Sequence, residues 1–132
     1  GPFMRRFFFT VEDASKFVFW ALKKQKLCSG KIVCPEMKSA KMIDILDYWI
    51  KKYGGKYKII KKRAGDKIDE ILVAYNELKN TYVLKANGSK YYLIDPETIS
   101  KKPLSKEINS KNSKKLNNHE IGKILKFGLK NN

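Results

Sequence analysis

The chain is poor in the residues from which catalytic and metal centres are usually built. It has one histidine, His119, and two cysteines, Cys28 and Cys34. The cysteines flank a strand-like run without C-x-x-C spacing, and one histidine does not complete a zinc site with them. They read as reduced thiols, Cys34 in a core strand and Cys28 in a loop. A nucleophile–base–orienter triad has nothing to stand on, because His119 sits in a polar segment. No G-x-G-x-x-G follows a strand and no G-x-x-x-x-G-K-[ST] occurs, so the chain carries no dinucleotide site or P-loop of its own. Long apolar runs are also missing. Phe3 to Phe9 is interrupted by Arg5 and Arg6, too short and too charged for a signal peptide, and nothing spans a bilayer. A cytoplasmic location is expected. Gly1-Pro2 reads as the scar of a removed tag.

Acidic residues are scarce beside basic ones: 13 Asp+Glu against 29 Lys+Arg, a formal charge of +16 over 132 residues. That balance favours an anionic partner, whether nucleic acid, an anionic membrane or a phosphorylated small molecule. It equally fits a lysine-rich, asparagine-rich composition carried on a solvated surface. The length suits one domain with one core.

Local signals give the organisation. Phe7 to Phe9 reads as a strand. Thr10-Val11-Glu12-Asp13 resembles a capping box, and Val11, Ala14, Phe17, Val18, Ala21 and Leu22 recur at helical spacing, predicting a helix over 11–24. Lys31 to Cys34, stopped by Pro35, suits a strand. A second helix is expected from about Ser39, with Met42, Ile45, Leu46, Trp49 and Ile50 on its apolar face and Gly54-Gly55 ending it. Tyr57, Ile59 and Ile60 suggest another strand. After the turn Arg63-Ala64-Gly65-Asp66, the residues Ile68, Ile71, Leu72 and Tyr75 suggest a third helix. Thr81 to Leu84 and Tyr91 to Ile94 form a hairpin around Asn87-Gly88, both of which accept positive φ. Residues 3–96 are read as the domain. Residues 97–132 are read as a basic polar tail, poorly ordered or extended over 97–118, with a short helix near 120–127. The expected class is α/β, or α+β as an isolated piece: a small mixed sheet with about three helices.

Anion binding has the better chemical case. Only three arginines occur, Arg5, Arg6 and Arg63. A guanidinium fork matches phosphate oxygens bidentately. Arg63 lies in a glycine-containing turn, and Asp66 follows three residues later, able to accept from a hydroxyl or to brace the arginine. The acid pairs Glu12-Asp13 and Asp69-Glu70 are read as structural, each near a helix start where the dipole favours carboxylates.

The order of several segments resembles one family. Met4-Arg5-Arg6-Phe7-Phe8-Phe9-Thr10-Val11-Glu12-Asp13-Ala14 is similar to the M-T-R-F-x-x-T-x-x-E/D-A segment of inverting UDP-N-acetylglucosamine 4,6-dehydratases, which are extended short-chain dehydrogenases/reductases of polysaccharide biosynthesis. Gly30-Lys31-Ile32-Val33-Cys34-Pro35 with Ser39-Ala40-Lys41-Met42-Ile43-Asp44 resembles their G-x-I-F-V-P-x-x-x-S-M-K-I-x-D. The run from Tyr57 through Arg63-Ala64-Gly65-Asp66 to Leu72 resembles I-K-I-I-G-x-R-x-G-E-K-L-x-E-x-L. Asn80-Thr81-Tyr82 and Tyr91-Tyr92-Leu93-Ile94 resemble N/R-T-Y…Y-Y-V-I, and Asn112, Leu116 and Glu120-Ile121 resemble N-x-x-x-L-x-x-x-E-[IL]. Arg5 replaces the usual Thr, Lys38 the usual Pro, and Asp66 the usual Glu.

The resemblance implies a substrate-binding subdomain. Arg6 and Arg63 would contact the diphosphate of a UDP-sugar, and Asp66 would face the ribose. In the family, NADP and the catalytic Tyr, Lys and acid belong to an amino-terminal Rossmann domain, so this chain implies no cofactor of its own and no activity alone. The parent reaction, a lyase or epimerase chemistry, takes hydride from C4 to NADP, loses water across C5 and C6, and returns the hydride. The implied partners are the UDP-sugar and the Rossmann domain, with homo-oligomerisation left open, no membrane, and nucleic acid disfavoured. Two alternatives stand beside it: a basic nucleic-acid-binding module, and a structural or interaction remnant without ligand.

Overall fold

The computed structural model describes residues 3–60 and 64–130, the side chains of 127–130 excepted. In chain order the elements are β1 (Arg5–Phe8), α1 (Val11–Lys23), α2 (Gln25–Cys28), β2 (Ile32–Pro35), β3 (Lys38–Lys41), α3 (Met42–Tyr53), β4 (Ile71–Val73), a 3-10 helix (Tyr75–Asn80), β5 (Thr81–Ala86), β6 (Ser89–Ile94), β7 (Ile108–Asn109) and α4 (Asn118–Lys130). This is a mixed α+β piece with several small sheets, as expected. The residues fall into two compact units, one of 1–10, 37–70 and 110–132, the other of 11–36 and 71–109.

In the first unit β1 pairs antiparallel with β3, Arg6 opposite Ala40 and Phe7 opposite Ser39. The second helix therefore starts at Met42 rather than near Ser39, because 38–41 is taken up by strand pairing with β1. Helix α3 ends where glycine was expected: Gly54 has φ 76° and its N–H donates to the Ile50 carbonyl at 2.8 Å. Ala40, Ile45 and Ile121 form the core, with Phe8, Tyr48, Leu116 and Leu125 packed against them. Close approach of α3 and α4 needs a missing side chain, since a Cβ on Gly122 would sit 2.2 Å from the Tyr48 hydroxyl. Tyr57, Ile59 and Ile60 do not form the expected strand. No neighbouring strand among the described residues pairs with them, and an extended segment without a partner leaves its ladder unmade.

Helix α4 opens on a reciprocal cap. Asn117 Oδ1 accepts from the Glu120 N–H at 2.9 Å, and Glu120 Oε2 accepts from the Asn117 N–H at 3.0 Å. Glu120 Oε1 also accepts from Lys38 Nζ. The Lys38 ammonium, with the Asn117 N–H, holds the Glu120 carboxyl below its usual range. A carboxylate whose folded pKa is depressed stabilises above its unfolded pKa and loses that contribution as pH falls through the folded value. Melting temperature is therefore expected to drop between about pH 5 and pH 3 with a component that Glu120→Gln removes. Melting curves of both proteins across that range check it.

In the second unit β2, β6 and β5 form an antiparallel sheet with β6 central, Tyr92 lying opposite Cys34 and Val83. Strand β6 carries the apolar run Tyr91-Tyr92-Leu93-Ile94, all four buried. A central strand covered on both faces needs no polar alternation. One face meets Val73 and Leu78, with Cys34, Leu72, Leu104 and Ile108 around them. On the other, Trp20 of α1 stacks on Tyr91 with ring centroids 3.8 Å apart. Burial pushes the Cys34 thiol up, as befits an inert core cysteine. Cys28 lies in the short α2, not in a loop. The Asn87-Gly88 turn forms as expected, with φ 51° and 75°.

Two expectations fail here. No helix spans Ile68 to Tyr75; Ile71 instead pairs with Asn109 in the β4–β7 ladder, so a distant partner overrides the local period. Nor is 97–118 a poorly ordered tail. Ser100 donates its N–H to the Lys79 carbonyl at 2.8 Å, and Ile108–Asn109 pairs with β4. Ser100 and Ser110 are buried. A lysine- and serine-rich run is held by backbone bonds together with a few side chains, Leu104 and Ile108 packing on one core and Leu116 on the other.

Candidate functional site

The candidate site lies in the first unit, where β1 grips the loop that follows the turn at Ala64 and Gly65. The Arg5 N–H donates to the Ile68 carbonyl at 2.7 Å, and its guanidinium Nη1 donates to Asp69 Oδ1 at 3.0 Å and Oδ2 at 3.3 Å. Arg6 Nη2 donates to the Lys67 carbonyl at 3.1 Å, Nη1 to the Arg5 carbonyl at 2.7 Å, and Nε lies 3.5 Å from Glu70 Oε1. Glu70 Oε2 in turn accepts from the Phe7 N–H at 2.8 Å. Arginine suits this work because its rigid fork serves several acceptors at once.

A buried polar cluster backs the loop. Ser39 and Ser110 are both 0% exposed. Ser110 exchanges two bonds with Glu70: its Oγ accepts from the Glu70 N–H at 2.9 Å, and its own N–H donates to the Glu70 carbonyl at 2.8 Å. Ser39 Oγ donates to the Ser110 carbonyl at 2.6 Å. Lys115 Nζ completes the set, donating to Ser39 Oγ at 3.1 Å and to the carbonyls of Ser110 and Lys111 at 2.7 and 2.8 Å. Loss of hydration pushes the Lys115 ammonium below its usual value, Arg5 repelling it and Asp69 acting the other way. Ser39 is held between β1 and the segment 114–116 by backbone bonds from Ser39 N–H to Lys114 and from Leu116 N–H to Ser39, both 2.9 Å.

Of the residues expected from sequence, Arg6 sits half-buried at this loop, its guanidinium turned onto the carbonyl of Lys67. Asp66 is half-buried, one residue after Gly65, which has φ 86°. Arg63 lies outside the described residues. Asp69 and Glu70 are structural as expected, but for a different reason: they face Arg5 and Arg6, and no helix starts there. Glu12 and Asp13 do lie in the first turn of α1. Ser39, Ser110 and Lys115 were missed. Nothing local distinguishes Ser110 from the other serines of its polar run; its role depends on Glu70, forty residues away in sequence.

His119 lines a separate hollow of about 180 Å³ with Tyr48, Lys52, Gly122, Lys123 and Lys126. Among the described residues no group of three or more His, Cys, Asp or Glu gathers as a metal site would require. No helix among them is long and apolar enough to cross a membrane.

Residues 1–94 match the model of a family described as polysaccharide biosynthesis protein. The chain is 32% identical over 135 residues to a Methanocaldococcus jannaschii protein named "Uncharacterized membrane protein MJ1061", covering 95% of this chain and 39% of that protein. It is 31% identical over 93 residues to the UDP-N-acetylglucosamine 4,6-dehydratase (inverting) of Campylobacter jejuni, covering 70% of this chain and 25% of the enzyme. Among solved structures, Pen from Bacillus thuringiensis superposes with a TM-score of 0.74 at 21% identity, over 98% of this chain and 40% of that one, a likeness of fold. The chain thus spans well under half the length of these relatives. With a family match over most of its length and the two arginines of β1 inside the matched region, the chain belongs to the polysaccharide biosynthesis protein family.

Proposed function

We propose that this chain is the substrate-binding portion of a nucleotide-sugar 4,6-dehydratase or epimerase, binding a UDP-N-acetylhexosamine. Arg6 and Arg63 contact the diphosphate, and Asp66 accepts from the ribose. The observation that carries the reading is the bond from Arg6 to the Lys67 carbonyl. It fastens β1 to the loop leaving the turn at Ala64 and Gly65. Arg63 precedes Lys67 by four positions in sequence, a reach of at most about 14 Å for a fully extended chain. The family match and the similarity to the Campylobacter jejuni UDP-N-acetylglucosamine 4,6-dehydratase support the choice of ligand. Cytoplasmic location and a Rossmann domain holding NADP and the catalytic groups belong to the same proposal. The chain supplies binding and orientation only and turns over no substrate by itself.

The test is a titration of the 15N-labelled chain with UDP and UDP-N-acetylglucosamine to millimolar concentration, followed by amide shifts. Saturable shifts are expected around 64–70 and β1. Arg63→Ala is expected to weaken binding about tenfold or more, the loss of one charge-assisted phosphate contact. The exposed Lys85→Ala, in β5, should leave affinity unchanged. Equal loss in both variants, or no saturable shift at all, would overturn the assignment. Lys115 is unsuitable as a control, because its ammonium holds three acceptors of the buried cluster.

A further inference from the structure

Helices α3 and α4 meet through Ile45 and Ile121. Beside that contact lies a hollow of about 180 Å³, lined by Tyr48 and Lys52 of α3 and by His119, Gly122, Lys123 and Lys126 of α4. Each helix contributes from one face. Tyr48 and Lys52 stand one turn apart, and the four α4 residues fall within an arc of about 100° at 100° per residue. Gly122 shapes the wall, because any side chain there would displace the Tyr48 hydroxyl from its place against α4. Lys52 Nζ is held over the same ring, 5.8 Å from the Tyr48 centroid.

The lining carries three ammonium groups, an imidazole and a phenol, and no carboxylate. The acids of the two helices stand outside it. Glu120 accepts from Lys38, Asp47 accepts from the Tyr57 hydroxyl at 3.4 Å, and Asp44 is exposed away from the lining. Other lysines of the chain are matched to acids: Lys31 to Asp95, Lys38 to Glu120 and Lys90 to Glu36. Lys52, Lys123 and Lys126 form no ion pair among the described residues. Like charges one turn apart, as Lys123 and Lys126 are, destabilise a helix, and a concave surface lined by one sign of charge concentrates counter-ions. An anion of more than one charge, with several acceptor oxygens, answers all three ammonium groups at once. At about 180 Å³ the hollow is smaller than the roughly 300–1,000 Å³ that encloses a drug-sized ligand, so it admits one charged group and not a whole nucleotide sugar. Four of the six lining residues also lie beyond residues 1–94, the part that matches the family model.

We propose that this hollow binds a single phosphate group, a monoester dianion carried by a small soluble molecule or by a lipid headgroup, at a site separate from Arg6 and Arg63. Lys52, Lys123 and Lys126 neutralise it, and the Tyr48 hydroxyl donates to it.

The test titrates the 15N-labelled chain with inorganic phosphate against chloride at constant ionic strength, at pH about 8, where a phosphate group is mainly a dianion. Saturable shifts are expected at the amides of Tyr48, Lys52, His119, Gly122 and Lys123. Lys123→Gln/Lys126→Gln should weaken binding about tenfold or more. The same variant should melt no lower than the parent, since both side chains are exposed and their mutual repulsion is gone. Its UDP shifts around 64–70 should be unchanged, so the two sites fail separately. Flotation with phosphatidylcholine vesicles containing phosphatidic acid, or phosphatidylglycerol at equal charge, identifies the carrier. Shifts with free phosphate support a soluble ligand; lysine-dependent capture by phosphatidic acid and not phosphatidylglycerol supports a headgroup. The proposal is overturned if neither probe binds, if the double variant binds phosphate as tightly as the parent, or if phosphate shifts are confined to 64–70 and β1. Equal capture by both lipids without any shift from free phosphate also overturns it, as an effect of diffuse charge alone.

Discussion

Tyr92→Ala is expected to lower stability by about 3–5 kcal/mol, the usual range for removing a large buried aromatic ring. Tyr92 is 2% exposed, between Val73, Leu78 and Ile94. It also stands on the central strand, opposite Cys34 on β2 and Val83 on β5. The cavity would therefore open where both outer strands depend on the same side chain. Relaxation is limited, because β6 is hydrogen-bonded on both edges and cannot move toward the void without breaking a ladder. Tyr92→Phe, which keeps the ring, should cost much less. Urea denaturation monitored by circular dichroism gives the magnitudes. Amide exchange in β2, β5 and β6 should quicken selectively in the alanine variant. A loss under about 1 kcal/mol would show that this cluster is not the core of its unit.

Ser110→Ala should cost about 1–3 kcal/mol despite removing a single oxygen. The hydroxyl accepts from the Glu70 N–H and lies 3.2 Å from Asp69 Oδ1, at a residue with no solvent exposure. Without it the Glu70 amide loses its acceptor, and a part-buried donor without a partner forfeits much of its hydration. The effect should travel along the loop, since Glu70 and Asp69 are the groups that Arg6 and Arg5 hold. Loosening 67–70 removes the support of the turn before it, so under the proposed function UDP affinity should fall with stability. Ser39→Ala tests the cluster from its other end by removing the donor to the Ser110 carbonyl. Because the two serines share one network, the double variant should cost less than the sum of the singles. Strict additivity in a double-mutant cycle would show that they act independently.

The features legible in the sequence are those whose cause is local. Helix α1 follows from the spacing of Val11, Ala14, Phe17, Val18, Ala21 and Leu22, the end of α3 from Gly54, and the β5–β6 turn from Asn87-Gly88, because helical period and positive φ are properties of a few consecutive residues. Even there the spacing said only that α1 has an apolar face. That Trp20 of this helix stacks on Tyr91 required knowing what β6 brings against it.

The sequence by itself determined the α+β class, the hairpin, the positions of α1, α3, α4, β2, β5 and β6, and the polysaccharide biosynthesis family, through motifs that lie in order along one chain. Only the tertiary structure decided that Ile71 pairs with Asn109 rather than joining a helix, that 97–118 is held, and that the buried Ser39 and Ser110, with Lys115 beside them, support the 67–70 loop. The physical reason is sequence separation. Ser39 and Ser110 stand 71 residues apart, and Arg5 and Asp69 64. A hydrogen bond across such a distance depends on where the whole chain folds back, and the residue types at its two ends, common ones in this composition, do not mark it.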